Sequence, residues 1–139
     1  MKHILVDTNI VLDLLGKRLP FYEEAAELFS LADKKKVILS LSSLLLANTH
    51  YLLKKFKPEQ DTRKVLRSFK VLVQVLSFTD KIADLALNSE FKDFEDAIQY
   101  FTAIENSQEM IITRNMSGYR KSKIPVMTAR EFIKSLENA

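Results

Sequence analysis

Residues 4–13, Ile4-Leu5-Val6-Asp7-Thr8-Asn9-Ile10-Val11-Leu12-Asp13, give the clearest indication of the fold. Its apolar residues 4–6 are typical of a short buried strand, and the polar residues 7–9 begin a helical pattern. A strand that leads directly into a helix is the first half of a β-α-β unit. A carboxylate at the carboxyl end of such a strand lies where open parallel sheets form their ligand crevice. Asp7 is therefore the first candidate site residue.

The rest of the chain alternates short apolar runs with longer helical patterns. Further strands are predicted at 36–39, 73–78, 110–113 and 125–126. Helices are predicted at 8–15, 21–32, 59–72, 80–87, 93–106 and 129–136, with another running from a Ser42 or Ser43 cap to about residue 56. Strands separated by helices indicate an α/β fold with a central, mostly parallel sheet of four to five short strands flanked by helices.

Composition limits the classes of protein to consider. The chain has 139 residues, 47% of them apolar, which is enough for a single domain over 1–139 with a sizeable core. It contains no cysteine, which excludes disulfides and thiolate zinc sites. No apolar run approaches the ~20 residues of a membrane span, and the apolar stretch at the amino terminus is too short for a signal peptide. We therefore expect a cytoplasmic, soluble protein without a membrane segment.

Charge is unevenly distributed along the chain. Residues 54–70 contain seven basic and two acidic residues, and residues 114–123 contain four basic residues and no acid. Residues 80–109, between them, contain eight acids and only two lysines. Cations that bind phosphates beside carboxylates that bind a metal would suit a metal-dependent nuclease. The alternative is that these charges only solvate helix faces.

A second acidic cluster, Asp93-Phe94-Glu95-Asp96, begins the helix that leads into the strand at 110–113. Asp93 and Asp96 are three residues apart and share one helix face. Because parallel strands end at the same edge of a sheet, we expect these acids to lie near Asp7. Carboxylate oxygens are ligands that Mg²⁺ and Mn²⁺ prefer. The alternative is that Asp7 and Asp93 serve only as helix N-caps.

Three segments together resemble the PIN domain, the fold of the VapC-type toxins of bacterial toxin–antitoxin pairs. They are residues 4–13, the block 93–100 and Ile111-Ile112-Thr113-Arg114-Asn115. The resemblance implies a three-layer fold and a Mg²⁺- or Mn²⁺-dependent endoribonuclease that acts on RNA, forms a homodimer and is neutralised by an antitoxin protein. It assigns Asp7 and Asp96 as the central catalytic and metal-binding acids, supported by Asp93. The cleft would further contain Asn9, Ser42, Asn48, Thr113, Arg114 and Asn115.

Two departures from the family pattern bear on activity. Asn48 stands where most of the family has a glutamate, and Gly118-Tyr119 stands where an acid and an aromatic residue usually follow Thr-Arg-Asn. Fewer negative charges weaken divalent binding. Besides the ribonuclease, two alternatives are a PIN-like domain that binds RNA or a protein without cleavage, and an unrelated α/β domain such as a phosphoacceptor regulator. The last would need a lysine at a later strand end, where this chain has Thr113-Arg114.

Overall fold

Five parallel strands form one sheet in the order β3-β2-β1-β4-β5. The computed structural model describes residues 1–138. The strands are β1 (Lys2–Val6), β2 (Val37–Ser42), β3 (Gln74–Leu76), β4 (Met110–Ile112) and β5 (Val126–Met127). The chain order reverses beside β1, because β2 and β3 lie on one side of it and β4 and β5 on the other. Open parallel sheets place their ligand crevice at such a reversal, outside the carboxyl ends of the strands.

Helices cover both faces of this sheet and give the predicted three layers. They are α1 (Thr8–Leu15), α2 (Tyr22–Asp33), α3 (Ser43–Leu53), α4 (Glu59–Lys70), α5 (Asp80–Leu87), α6 (Phe94–Glu105) and α7 (Ala129–Glu137). Ile4 and Val6 pack with residues of α1, α2 and α7 on one face. Leu5 packs on the other face with Tyr100 of α6. This alternation along β1 follows from the two-residue side-chain period of a strand.

Most element boundaries agree with the sequence prediction, and the α/β fold with its parallel sheet is confirmed. Thr79 and Thr128 cap α5 and α7 through bonds to the backbone N–H groups of Ile82 and Glu131. Among residues 1–138, no helix is long and apolar enough to cross a membrane.

Several elements differ from the prediction; for example, β3 covers only Gln74–Leu76 of the predicted 73–78, and α4 ends at Lys70 instead of 72. Strand β2 extends to Ser42, because Ser40, Leu41 and Ser42 are fully buried in the sheet between β1 and β3. The sequence prediction ended this strand at 39, since serine is not typical of a buried strand. Helix α3 ends at Leu53 and not at about residue 56 as predicted; Phe56 is exposed and adds nothing to the core. A short 3₁₀ helix at Met116–Tyr119 was not predicted.

Candidate active site

Asp7 lies at the carboxyl end of β1, next to the end of β4. Its backbone N–H donates to the carbonyl of Ile112, 3.0 Å away, which fixes it against the neighbouring strand. Its Oδ1 accepts a 2.8 Å bond from the N–H of Thr8 and so caps α1. The residue is only 5% exposed, yet it contributes to the wall of an open cleft. Asp7 is therefore a helix cap and a cleft residue at the same time.

Two hydroxyl groups hold the other oxygen of Asp7. The Thr113 hydroxyl donates to Oδ2 over 2.9 Å, and the Tyr119 hydroxyl donates to the same atom over 3.0 Å. The Thr113 oxygen in turn accepts bonds from the Asn9 side-chain amide (3.3 Å) and the Asn115 backbone N–H (2.9 Å). This network holds the Asp7 carboxylate in one orientation from the side that faces away from the cleft. Thr113 is itself fully buried, so it supports the cleft and does not face it.

The second acid of the cleft, Asp96, is in the first turn of α6. Its Oδ2 accepts a 3.1 Å hydrogen bond from the Asn115 side-chain amide, which links α6 to the segment after β4. Asp93 precedes α6, and its Oδ1 accepts the Asp96 backbone N–H at 2.9 Å. Asp93 is thus the N-cap of α6, and it also lies on the wall of the cleft beside Asp96.

We call this space the acidic cleft; its volume is about 420 Å³. It is lined by Asp7, Thr8, Asn9, Leu12, Arg18, Asp93, Glu95, Asp96, Gln99, Arg114 and Asn115. An adjoining groove of about 730 Å³ shares Asp93, Asp96 and Asn115 with it. That groove adds three cationic side chains, Lys92, Arg120 and Lys121. Carboxylates and cations therefore meet along one continuous surface depression.

The carboxylates of the cleft destabilise one another's ionised forms. Burial and the charges of Asp7 and Asp93 raise the pKa of Asp96 to about 6, and the Asn115 amide offsets only part of this rise. Burial also raises the pKa of Asp7, against the opposing effect of its bonds to Thr8, Thr113 and Tyr119. The same desolvation and the nearby acids raise the pKa of the Tyr119 hydroxyl, which keeps it a hydrogen-bond donor. A bound cation would relieve this repulsion.

Arg114 reaches the cleft wall, but its guanidinium is bound to an acid of α1. Nε and Nη2 donate to the two oxygens of Asp13 over 2.8 and 3.0 Å, a bidentate ion pair. The Phe21 ring lies 3.9 Å from the guanidinium carbon. Asp13 is only 1% exposed and also accepts from Arg18 at 3.1 Å. The Arg114 guanidinium is therefore already paired with a buried carboxylate, and its role in binding phosphate stays a prediction.

Two residues predicted to belong to the cleft, Ser42 at the end of β2 and Asn48 within α3, lie outside the acidic cleft. Ser42 is fully buried, and its hydroxyl accepts the Leu45 backbone N–H over 3.0 Å as the cap of α3. Neither Ser42 nor the half-buried Asn48 is among the residues that line the acidic cleft. Asn9 and Asn115 do line it, as predicted from the sequence.

Gly118 occupies a position where a side chain would collide with this arrangement. A Cβ atom built there would lie 2.4 Å from Asp96 Oδ2 and 2.4 Å from Asn115 Nδ2. Real Cβ contacts are never so short, so an acid at position 118 would require the Asp96–Asn115 pair to move. The atoms in the way are the far ends of two side chains, so an acid at position 118 would displace the Asp96–Asn115 bond and leave the backbone in place.

The donor set suits a hard divalent cation held by few protein ligands. Within residues 1–138, no group of three or more His, Asp or Glu side chains is arranged to hold a metal ion. Mg²⁺ is usually bound by one or two carboxylates, with waters and substrate phosphates completing its coordination. Asp7 and Asp96, which both line the acidic cleft, are the two carboxylates that suit that smaller requirement, and Asp93 adds charge beside them.

Sequence reasoning missed three residues of the site. Tyr119 and Asp13 find their partners only across the fold, more than a hundred residues away. An acid within the otherwise apolar first helix was the one available signal for Asp13, since a buried acid needs a cation. Gln99 follows Asp96 by one helical turn and lines the cleft, and its residue type alone gave no indication of a role.

With this geometry established, comparison with known proteins identifies the class. Residues 3–117 match the PIN domain family, and the chain belongs to that family. The curated ribonuclease VapC1 of Aquifex aeolicus (strain VF5) is 27% identical over 137 residues, which cover 93% of this chain and 92% of that protein. The resemblance found in the three sequence segments is confirmed.

Solved structures agree with this class. A toxin–antitoxin complex from Klebsiella pneumoniae contains a chain that is 28% identical, with a TM-score of 0.66 over 91% of this chain and 97% of that one. VapBC2 from Rickettsia felis, bound to a DNA fragment from its promoter, is similar with a TM-score of 0.68 and 21% identity over 90% of this chain and 96% of that one. At 21% identity, the similarity to the Rickettsia felis structure shows a shared fold and nothing more.

Proposed function

We propose that this protein is a Mg²⁺- or Mn²⁺-dependent endoribonuclease that hydrolyses RNA phosphodiesters, and the toxin of a toxin–antitoxin pair. The observation that carries the proposal is the convergence of Asp7 and Asp96, two carboxylates with raised pKa values, at the carboxyl edge of the sheet. Clustered acids with perturbed pKa values in a cleft are typical of catalytic sites. The likeness to a protein named a ribonuclease points the same way.

In this proposal Asp7 and Asp96 hold the cation, and Asp93 raises the negative charge around it. Mg²⁺ or Mn²⁺ bound there would polarise the phosphodiester and lower the pKa of a bound water. Thr113 and Tyr119 keep the Asp7 carboxylate in one orientation, and Asn115 does the same for Asp96. Asn9 acts through Thr113, whose oxygen it contacts.

The RNA strand would lie along the adjoining groove, where Lys92, Arg120 and Lys121 bind its phosphates. Arg114 instead stabilises the wall of the cleft through Asp13. As a toxin, the protein would bind a small antitoxin protein, form a homodimer and be located in the cytoplasm. The toxin–antitoxin complex from Klebsiella pneumoniae supports the antitoxin partner.

The first test is a calorimetric titration of the metal-free protein with Mn²⁺ at pH 7.5, beside the Asp7→Ala and Asp96→Asn variants. We expect saturable binding by the natural protein and a loss of at least tenfold in affinity in each variant, because each removes one of two carboxylate ligands. Asp84→Asn, which removes a carboxylate of α5 outside the acidic cleft, is the matched control and should bind Mn²⁺ as the natural protein does. Undiminished Mn²⁺ binding by both acid variants would contradict the site.

A second candidate function is RNA or protein binding without cleavage. Asn48 and Gly118 favour it, because the chain has lost two of the family's usual negative charges at those positions. Asp96→Asn separates the two functions: cleavage of RNA by the natural protein that disappears in this variant identifies an enzyme. RNA binding that persists in the variant, with no cleavage by either protein, identifies a binding domain.

A further inference from the structure

Gln99 is a buried amide in the wall of the acidic cleft that has no role in the fold's hydrogen bonding. It is 2% exposed, and its Oε1 is shielded from solvent with no hydrogen-bond partner among the described residues. The large majority of buried side-chain polar atoms in proteins have such a partner. An exception at the edge of a candidate site therefore calls for an explanation.

The position of Gln99 indicates what its amide would meet. It lies three residues after Asp96, so the two side chains are on the same face of α6, with Gln99 one turn deeper. It shares the cleft wall with both Asp7 and Asp96. Because the last torsion of a glutamine is broad, a half-turn of the amide brings Oε1 to the cleft side and moves Nε2 to the enclosed side.

The burial of Gln99 favours a water molecule over an RNA group as the hydrogen-bond partner of its amide. An RNA base or ribose cannot reach a side chain that is 98% enclosed without opening the wall formed by α6. A hydrated cation held between Asp7 and Asp96 would bring water molecules to the base of the cleft. Water donates hydrogen bonds, and an amide oxygen accepts them.

We propose that Gln99 is a positioning residue for the divalent cation: its Oε1 accepts a hydrogen bond from the cation's hydration shell at the base of the acidic cleft. The inference rests on the proposed function, because it requires that Asp7 and Asp96 hold the cation. Asn115 stabilises Asp96 from the solvent side, and Gln99 stabilises the hydrated cation from the protein side.

Gln99→Met tests the proposal, because methionine has a similar shape and lacks the amide oxygen. Titration with Mn²⁺ alone at pH 7.5 should show an affinity at least tenfold below that of the natural protein, the usual cost of losing an outer-sphere partner. The melting temperature of the metal-free variant should not fall, since no protein hydrogen bond to Oε1 is lost. A merely structural role predicts the reverse: a lower melting temperature and unchanged Mn²⁺ affinity.

Gln108→Met is the matched control. Gln108 is also a buried glutamine with an unpartnered Oε1, but it precedes β4 at the opposite edge of the sheet. Its Nε2 donates a 2.9 Å bond to the Asn106 carbonyl, so this control applies to the Mn²⁺ affinity and not to the melting temperature. Its replacement should leave the Mn²⁺ affinity unchanged. An equal loss in both variants would overturn the proposal, because it would show a general effect of removing a buried amide.

Gln99→Glu keeps the shape and the acceptor, and it guards against a Gln99→Met variant that fails to fold. We expect it to bind Mn²⁺ at least as tightly as the natural protein. A tenfold loss in Gln99→Glu would overturn the positioning role. If the natural protein binds Mn²⁺ and Gln99→Met binds it equally well, only this inference fails; if the natural protein itself does not bind Mn²⁺, the metal site fails with it.

Discussion

At Asp7 one carboxylate meets two requirements. Oδ1 accepts from the first turn of α1, and Oδ2 accepts from Thr113 and Tyr119. The two interpretations considered from the sequence, a helix cap and a site acid, are therefore compatible. The cap fixes the side chain at the sheet edge, and the two hydroxyls keep its charge partly stabilised in a buried position.

The raised pKa of Asp96 predicts that the free energy of unfolding depends on pH. Its pKa is about 6 in the folded protein, above the ordinary value of 3.8. Between about pH 4 and pH 6 the folded state therefore binds more protons at this position than the unfolded chain. The favourable contribution of the protonated carboxyl is present at pH 4 and is lost as the pH rises through 6.

Urea unfolding of the metal-free protein at several pH values measures this effect. The stability of Asp96→Asn relative to the natural protein should increase from pH 4 to pH 6.5, by about 1 kcal/mol or less because the residue is partly solvated. Asp84→Asn, in the acidic helix α5 outside the cleft, serves as a control. A difference that stays flat with pH for Asp96→Asn would contradict the raised pKa.

At the scale of elements, the Asp13–Arg114 pair joins α1 to the segment after β4. The pair fixes the two chain segments that carry Asp7 and Asn115, so it shapes the cleft without facing a substrate. Arg114→Gln should destabilise the protein by about 2–3 kcal/mol. This is below the ~3–5 kcal/mol typical of breaking a buried pair, because Arg18 still contacts Asp13.

Chemical denaturation checks this prediction, with Arg120→Gln as the control. Arg120 is exposed, and its replacement should change the free energy of unfolding by less than about 0.5 kcal/mol. If Arg114→Gln were as stable as the natural protein and lost RNA affinity instead, the phosphate-binding role expected from the sequence would be supported.

At the scale of the whole molecule, the charge runs of the sequence separate onto different surfaces. Lys92, Arg120 and Lys121 border the groove next to the acidic cleft. The basic residues of α4 lie on a helix that packs against α3, and none of them lines the cleft or the groove. Only the first set is placed to guide a strand of RNA to the carboxylates.

The salt dependence of RNA binding distinguishes these two surfaces. Replacing Lys92, Arg120 and Lys121 together by glutamine should reduce the slope of log affinity against log salt by about 2, since each neutralised phosphate contact on a single strand contributes ~0.7. Fluorescence anisotropy with a short single-stranded RNA measures the slope. A matched variant of Lys64, Arg67 and Lys70 on α4 removes the same charge and should leave it unchanged; the opposite pattern would move the RNA path to α4.

The succession of strands and helices, the helix caps and the sheet edge that carries Asp7 and Asp96 were all predictable from the amino-acid sequence. These features follow from short-range patterns: apolar spacing, cap residues such as Thr79 and Thr128, and the common direction of parallel strands. Four features of the site emerge only in the folded protein: Asp13 binds the Arg114 guanidinium, Tyr119 binds Asp7, Gly118 leaves room for the Asp96–Asn115 bond, and Gln99 Oε1 has no partner. They depend on how closely segments far apart in the chain pack together, and residue types and local spacing carry no information about that packing.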